Sequence, residues 1–426
     1  VQRSGSALLK LLGSSIVDQA MLSAANFLVG LILIRYTHDT QYGYYVLGFN
    51  AMMLAVTLQG SFIGTPLIIR LPTLTEAQRS AWVGSLLRDQ IRWSMFGGVA
   101  TLAGAAIAWA MGALDRESAP VLVAGLVLVL CQLYREYFRS VLLMVQRTVP
   151  VLAADSVYVA CLIVGGLAAT RFAAAATAAL LAAAAAALVG AELLRRILGP
   201  GLDRQAAPGR LADIARTGAW AAAGGVIYWL FTQGYSFVAA ATLDIAGVAA
   251  LAASRLLMMP INVMSTGVQK QLVPIASGWV HQSGVAHTFR RLLIFSCIMG
   301  VLTLVYGAVV WLLRDWIFVD LMRKSFDYRN TLLLMWIGVF LVMVMREPIT
   351  QLLVLRQRFR TLMAASLASA VVALTISYLG MTQFGTRGAP IGILVGEVLN
   401  LIAALWMVRR EIRIDRRDAG AGNTHD

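Results

Sequence analysis

The sequence predicts an all-α polytopic membrane protein with about twelve transmembrane helices in two pseudo-repeated six-helix lobes. Composition is the first reason. The 426 residues are 59% hydrophobic and only 13% charged, with a mean hydropathy of +0.75, whereas a soluble domain carries roughly a quarter charged residues. Segment length is the second. Many apolar runs are about 20 residues long, enough for a helix to cross about 30 Å of hydrocarbon, and they lack the alternation of membrane β-strands. The third is a repeat. Arg135-Glu136 and Arg346-Glu347 each lie inside an apolar run, Pro120 to Val145 and Leu332 to Leu355, and each is followed by Gln-Arg, at Gln146-Arg147 and Gln357-Arg358. Charges inside spanning helices persist where they face protein or a wet cavity, and a matched set in two halves points to a duplication.

In chain order, a basic start (Arg3, Lys10) leads into a first span near residues 14–36. It holds Asp18, Gln19 and Asn26 and is too long for a signal-peptide core, so it reads as an uncleaved helix. The second span covers about 43–69 and ends at Pro66 and Pro72. A polar stretch with Trp82, Leu86 and Leu87 at helical spacing predicts a short surface helix. Spans three to six fall near 93–114, 119–145, 151–170 and 173–194, with Asp115-Arg116-Glu117 in the turn between the third and fourth. The last two are Ala-rich, which favours close helix packing.

A basic stretch from Arg195 to Arg216, holding Gly199-Pro200-Gly201 and Pro208-Gly209, separates the halves. The expected organisation is an N-terminal lobe over 1–198, a linker over 199–212, a C-terminal lobe over 213–410 and a charged tail over 411–426. Spans of the second lobe fall near 217–242, 246–268, 291–313, 331–355, 361–383 and 387–408, with His281 and His287 in a loop. With both termini in the cytoplasm, the inner segments collect most of the arginines, as the positive-inside rule requires. That asymmetry accounts for much of the +14 net charge, so no nucleic-acid partner is implied. Cys131, Cys161 and Cys297 have no metal-ligand spacing. No metal or cofactor is expected.

Val17-Asp18-Gln19-Ala20, Asn26-Phe27, Arg35-Tyr36 and Gln41-Tyr42-Gly43 resemble the first helix and turn of bacterial polysaccharide flippases. These belong to the multidrug/oligosaccharidyl-lipid/polysaccharide (MOP) exporter superfamily, and the six-plus-six layout extends the resemblance along the chain. The resemblance implies two lobes around a central cavity and alternating access. It also implies transport of an undecaprenyl-pyrophosphate-linked oligosaccharide across the bacterial cytoplasmic membrane, beside a polysaccharide polymerase and co-polymerase.

The residues give their own reading. Gln132, Arg135, Glu136 and Arg139 share one helical face. Adjacent residues project about 100° apart, so Arg135 and Glu136 are poorly placed to pair with each other. One expectation is a reciprocal gate of Arg135 with Glu347 and Arg346 with Glu136; the other is permanent ion pairs within each lobe. The candidate substrate contacts are Arg255, Arg135, Arg346, Gln19, Asn26 and Asn262. Arg255 suits a pyrophosphate because guanidinium binds phosphate oxygens bidentately, although a structural arginine bonded to carbonyls or a carboxylate fits equally. Arg35 and Arg139 read as snorkelling to headgroups. Trp220, Tyr228, Trp229 and Tyr235 would stack on sugar rings or serve packing.

Asp18, Asp155 and Glu192 fall near cytoplasmic helix ends, where solvation or capping accounts for them. Glu397, with Asn400 one turn on, lies mid-span and is the candidate for coupling to H⁺ or Na⁺, with Asp18 as a second; a structural pair with an arginine is the alternative. The lysines, at 10, 270 and 324, follow no phosphate-binding loop, so a Walker-type ATPase is excluded. Short outer loops argue against sugar transfer. The remaining competitor is a cation-coupled multidrug exporter of the same superfamily, against which Arg135, Arg255 and Arg346 would set a repelling charge.

Overall fold

A computed structural model describes residues 5–71, 74–112, 114–203 and 205–422. Arg3, Pro72, Arg204 and residues 423–426, and the side chains of Lys10, Pro200, Lys270 and residues 416–422, lie outside the described part. The described residues form helices and no strands: α1 (Gly5–Tyr36), α2 (Asp39–Gln59), α3 (Thr65–Arg70), α4 (Glu76–Ala110), α5 (Ser118–Met144), α6 (Thr148–Ala169) and α7 (Ala175–Leu198) come first. Then follow α8 (Leu211–Thr242), α9 (Ile245–Leu256), α10 (Met259–Leu312), α11 (Arg329–Leu355), α12 (Phe359–Phe384) and α13 (Gly388–Gly422).

Nine segments among the described residues are long and apolar enough to cross a membrane, ten with the bent pair Ile245–Leu256 and Met259–Gln269. One of the nine, Phe359–Asp415, runs through α12 and most of α13. Helix α8, which holds the span expected at 217–242, is not among them, so the described residues fall short of the twelve expected spans.

The chain forms two compact units, Val1–Trp229 and Leu230–Asp426. The division falls inside α8, later than the Pro/Gly-rich linker suggested. Packing explains it: a Cβ added at Gly218 would lie 2.4 Å from Phe62 O, and one at Gly225 would lie 2.6 Å from Ser61 Oγ. The first half of α8 is thus seated on the π-helical turn Gly60–Gly64 of the N-terminal unit.

In the N-terminal unit, α7 packs its alanine face against α5 and α6. Ala179, Ala183, Ala187, Ala191 and Leu194 are buried. The predicted surface helix is instead the first part of the continuous α4. Trp82, Leu86 and Leu87 enter a core with Tyr137, Phe138 and Leu142, and Tyr137 Oη donates to Val83 O at 2.6 Å. An apolar face meeting two aromatic rings is better buried against them than at an interface. Beyond it, Trp93, Met95, Phe96 and Val99 are exposed, as a lipid-facing stretch requires.

In the C-terminal unit, α12 and α13 pack antiparallel through small residues. A Cβ at Gly388 would fall 2.1 Å from Gly380 C, and one at Gly392 would fall 2.4 Å from Ser377 N. The expected loop at His281 and His287 is helical, belonging to α10, whose only non-helical residue is Gly284 (φ 73°, ψ 175°). Ala276, Val285 and Leu292 from this stretch join Ile349, Leu352 and Val408 in a core, which is why it does not loop out.

The repeat is expressed in the backbone. Helices α5 and α11 are each 27 residues long. Gln146 and Gln357 both take left-handed φ, 62° and 56°. Gln146 N–H donates to Leu143 O and Arg147 N–H to Leu142 O; Gln357 N–H donates to Val354 O and Arg358 N–H to Leu353 O. This is the same helix-ending motif twice, satisfying carbonyls that the helix end would leave unpaired.

Candidate functional site

The repeated charge pairs seed two buried polar networks, one in each unit. In the N-terminal unit, Arg135 is 1% and Asp155 0% exposed at the side chain, and they pair at 2.5 Å. Arg135 Nη1 also donates to Glu136 Oε1 at 2.8 Å, and its guanidinium carbon lies 3.7 Å from the Tyr158 ring centre. Arg139 donates through Nε to the other Asp155 oxygen at 2.7 Å, approaches Glu136 at 3.5 Å and reaches Asp18 on α1. Asp155 therefore bridges two arginines, and α1, α5 and α6 are tied by one cluster. Helix α7 makes room for it: a Cβ at Gly190 would lie 3.0 Å from Arg135 Nε.

In the C-terminal unit, Arg346 Nε donates to Glu397 Oε2 at 2.8 Å, joining α11 to α13. Glu347 turns the other way and accepts from Ser265 Oγ and Gln269 Nε2. Gln351 Nε2 donates to Gln269 Oε1 at 2.9 Å, extending the chain along α11. Asn400 is 2% exposed and its Oδ1 has no hydrogen-bond partner among the described residues.

Several sequence expectations change here. Arg135 and Arg346 take ion pairs inside their own units, with Asp155, Glu136 and Glu397, as the expectation of permanent pairs within each lobe has it. The nearer carboxylates neutralise them because a buried charge is stable only when fully paired. Arg135 and Glu136 do pair, since a long flexible guanidinium reaches back over the angle that separates their Cβ atoms. Asp18 and Asp155 are buried partners of arginine rather than solvated helix ends, and Arg139 joins them instead of snorkelling. Glu397 is paired rather than lone. Glu192 lies outside both networks, held by Arg195 and Arg196 at 2.7 Å each.

Arg255 has a different setting. It stands in the last turn of α9, next to a 52° bend into α10. Pro260 contributes no N–H to the ladder there, and Tyr306 Oη donates to the Leu257 carbonyl at 2.8 Å. Arg255 Nη1 donates to Gln233 Oε1 at 2.6 Å. Its guanidinium lies 5.7 Å from the ring centres of both Tyr235 and Trp336, which themselves pack at 5.4 Å. No carboxylate is in ion-pair contact with it among the described residues. Buried Tyr235 and Trp229 are packing residues, whereas Trp220 and Tyr228 are exposed. Gln19 and Asn262 are exposed and Asn26 is half-buried.

Tyr158, Gly190, Ser265, Gln269, Gln351 and Gln233 were not singled out from the sequence, and Asp155 was read there only as a helix-end residue. For Asp155 the available signal was its position one helix after Arg135, beyond the first Gln-Arg turn.

The chain matches no protein-family model and none of the curated proteins. Solved structures do match. An inward-facing multidrug resistance MATE family transporter of the MOP superfamily is 15% identical, with a TM-score of 0.73 over 94% of this chain and 96% of that one. The lipid II flippase MurJ, in an inward closed conformation, is 9% identical, with a TM-score of 0.74 over 94% of this chain and 87% of that one. A MOP superfamily transporter from Pyrococcus furiosus, for which reversed polarity of the binding pocket suggested a different function, is 15% identical, with a TM-score of 0.59 over 95% of both chains.

This chain has the MOP-superfamily transporter fold. Within that fold, the two arginine networks sit on α5 and α11, helices at equivalent places in the repeat. The bend beside Arg255 breaks the second helix of the C-terminal unit, a type of interruption that places helix ends and polar side chains at membrane depth.

Proposed function

We propose that this MOP-type transporter is an alternating-access flippase for an undecaprenyl-pyrophosphate-linked oligosaccharide. It would move the repeat unit of a polysaccharide from the inner to the outer leaflet of a bacterial cytoplasmic membrane, with both termini on the cytoplasmic side. The observation that carries this reading is the contrast between Arg255 and the membrane carboxylates. Asp18, Asp155 and Glu397 are each engaged by arginine, while Arg255 is held by a neutral amide and two aromatic rings. An uncompensated guanidinium on a broken helix favours an anionic headgroup and disfavours a cationic one. The roles of Arg135 and Arg346 shift accordingly, from substrate contacts to internal braces. Energy would come from an H⁺ or Na⁺ gradient through Glu397 and Asn400, whose unused Oδ1 is a ready oxygen ligand.

One observation favours the second reading, export of cationic drugs. Glu347 accepts from neutral donors, Ser265 and Gln269, and so offers a carboxylate outside the ion pairs.

Sealed liposomes holding the purified protein separate the two. Leaflet exchange of an undecaprenyl-pyrophosphate oligosaccharide is followed beside uptake of a cationic dye, with and without imposed pH and sodium gradients. Movement of the lipid-linked sugar alone is expected. Movement of the dye with the sugar static would assign the chain to drug export.

A further inference from the structure

We infer that a cavity of about 710 Å³ in the N-terminal unit, walled by α4 and the linker before α8, is a binding site for a phosphate-bearing anion. This inference is independent of what the transporter carries.

The described lining residues bring Arg70 and Arg210 to one space and include no carboxylate. Arg70 stands at the end of α3, three residues after Leu67 closes the span Asp39–Leu67. Arg210 precedes the first residue of α8. Asp213 lies between them, 3.8 Å from Arg70 and 3.2 Å from Arg210. Two guanidiniums thus line one cavity, and guanidinium is the side chain best matched to phosphate oxygens.

The second observation is Ser85. It lines the same cavity, is 2% exposed, and its Oγ has no hydrogen-bond partner among the described residues. Buried hydroxyls are almost always bonded, so an unused one in a cavity wall marks a place for a polar ligand atom. Gln78 adds a donor: its Oε1 accepts Thr75 N–H at 3.1 Å, which leaves the amide nitrogen.

The wall is also built to stay in place. Of the other nearby carboxylates, Asp203 accepts Gln205 N–H at 2.8 Å, and Asp89 is buried and faces away into the linker backbone. It accepts Gly209 N–H at 2.9 Å on both oxygens and Leu211 N–H at 2.9 Å. Gly209 takes φ 128°, open to glycine. The linker segment bearing Arg210 is thereby fastened to α4. Arg70 falls just past a span end, and a phospholipid headgroup and a soluble phosphate share the chemistry the site would recognise.

Native mass spectrometry of the full chain in neutral detergent tests this with three probes: phosphatidylglycerol, phosphatidylcholine and inorganic pyrophosphate. Expected is preferential binding of phosphatidylglycerol or pyrophosphate, weakened about tenfold in R70Q/R210Q. Ala207→Glu, at an exposed position in the lining, should weaken it similarly without disturbing packing. The control R92Q/R216Q removes the same charge outside the cavity and should bind as the unaltered chain does. Loss of phosphatidylglycerol binding in the cavity variants assigns a lipid ligand, and loss of pyrophosphate binding assigns a soluble one. Equal affinity for both lipids with no pyrophosphate bound, or cavity variants that bind like the control, would overturn the inference.

Discussion

Arg135 and Arg346 occupy the same place in two 27-residue helices but draw their counter-charges from different neighbours. Arg135 is neutralised by Asp155 of the following helix, α6, and Arg346 by Glu397 of the last helix, α13. The duplicated arginine kept its position while its partner carboxylate did not. A buried guanidinium needs a carboxylate within reach, and any helix packed on that face can supply it.

The Arg346–Glu397 pair predicts a non-additive stability pattern. Glu397→Gln removes the counter-charge that Glu397 gives a buried arginine and should cost about 3–5 kcal/mol, whereas R346M/E397L should recover most of that loss. Thermal unfolding in detergent measures both. If Glu397 also couples transport to an ion, Glu397→Gln must change gradient dependence in liposomes; unaltered dependence would remove that role.

Asp155 holds two arginines and Asp18 holds one. Asp155→Asn should therefore destabilise the protein more than Asp18→Asn, by at least about 1 kcal/mol. Equal losses would mean that Glu136 alone can neutralise Arg135 and Arg139.

The two Gln-Arg turns predict matched responses. Gln146→Gly and Gln357→Gly should each be neutral to stabilising by up to about 1 kcal/mol, because glycine suits left-handed φ at a helix end. Gln146→Val and Gln357→Val should each lose about 1–2 kcal/mol. Opposite behaviour of the two sites would show that the turns are not equivalent.

Close packing of α12 on α13 predicts that Gly392→Ala lowers the melting temperature sharply, since its Cβ would meet Ser377 N at 2.4 Å. Gly338→Ala, where nothing lies within 4 Å, should gain about 0.5–1 kcal/mol of helix stability. A neutral Gly392→Ala would mean that the two helices separate freely.

For transport, Arg255→Gln should reduce leaflet exchange of the lipid-linked sugar at least about tenfold, with Arg255→Lys intermediate, because lysine keeps the charge but loses the planar fork. Unaltered exchange in both would make Arg255 a structural residue of the Tyr235–Trp336 cluster.

The membrane class, the helical character, a two-lobed architecture and the repeat around Arg135 and Arg346 were all legible in the chain. Hydropathy and spacing are local quantities, and a charged pair in an apolar run is visible without any neighbour. The resemblance at Asp18-Gln19 to Tyr42-Gly43 also led to the fold that the solved structures share. What stayed hidden depended on partners distant in sequence. Adjacent Arg135 and Glu136 looked unable to pair, yet their meeting depended on side-chain reach. Asp155 looked like a solvated helix end until α5 and α7 closed over it. The stretch at Trp82 and the one at His281 looked like surface segments because their polar residues dominate locally, while the cores that receive Trp82 and Val285 come from other helices. Local composition determined which segments enter the membrane; only tertiary packing decided which charge meets which, because ion pairing in a low dielectric is settled by distances between helices and not by order along the chain.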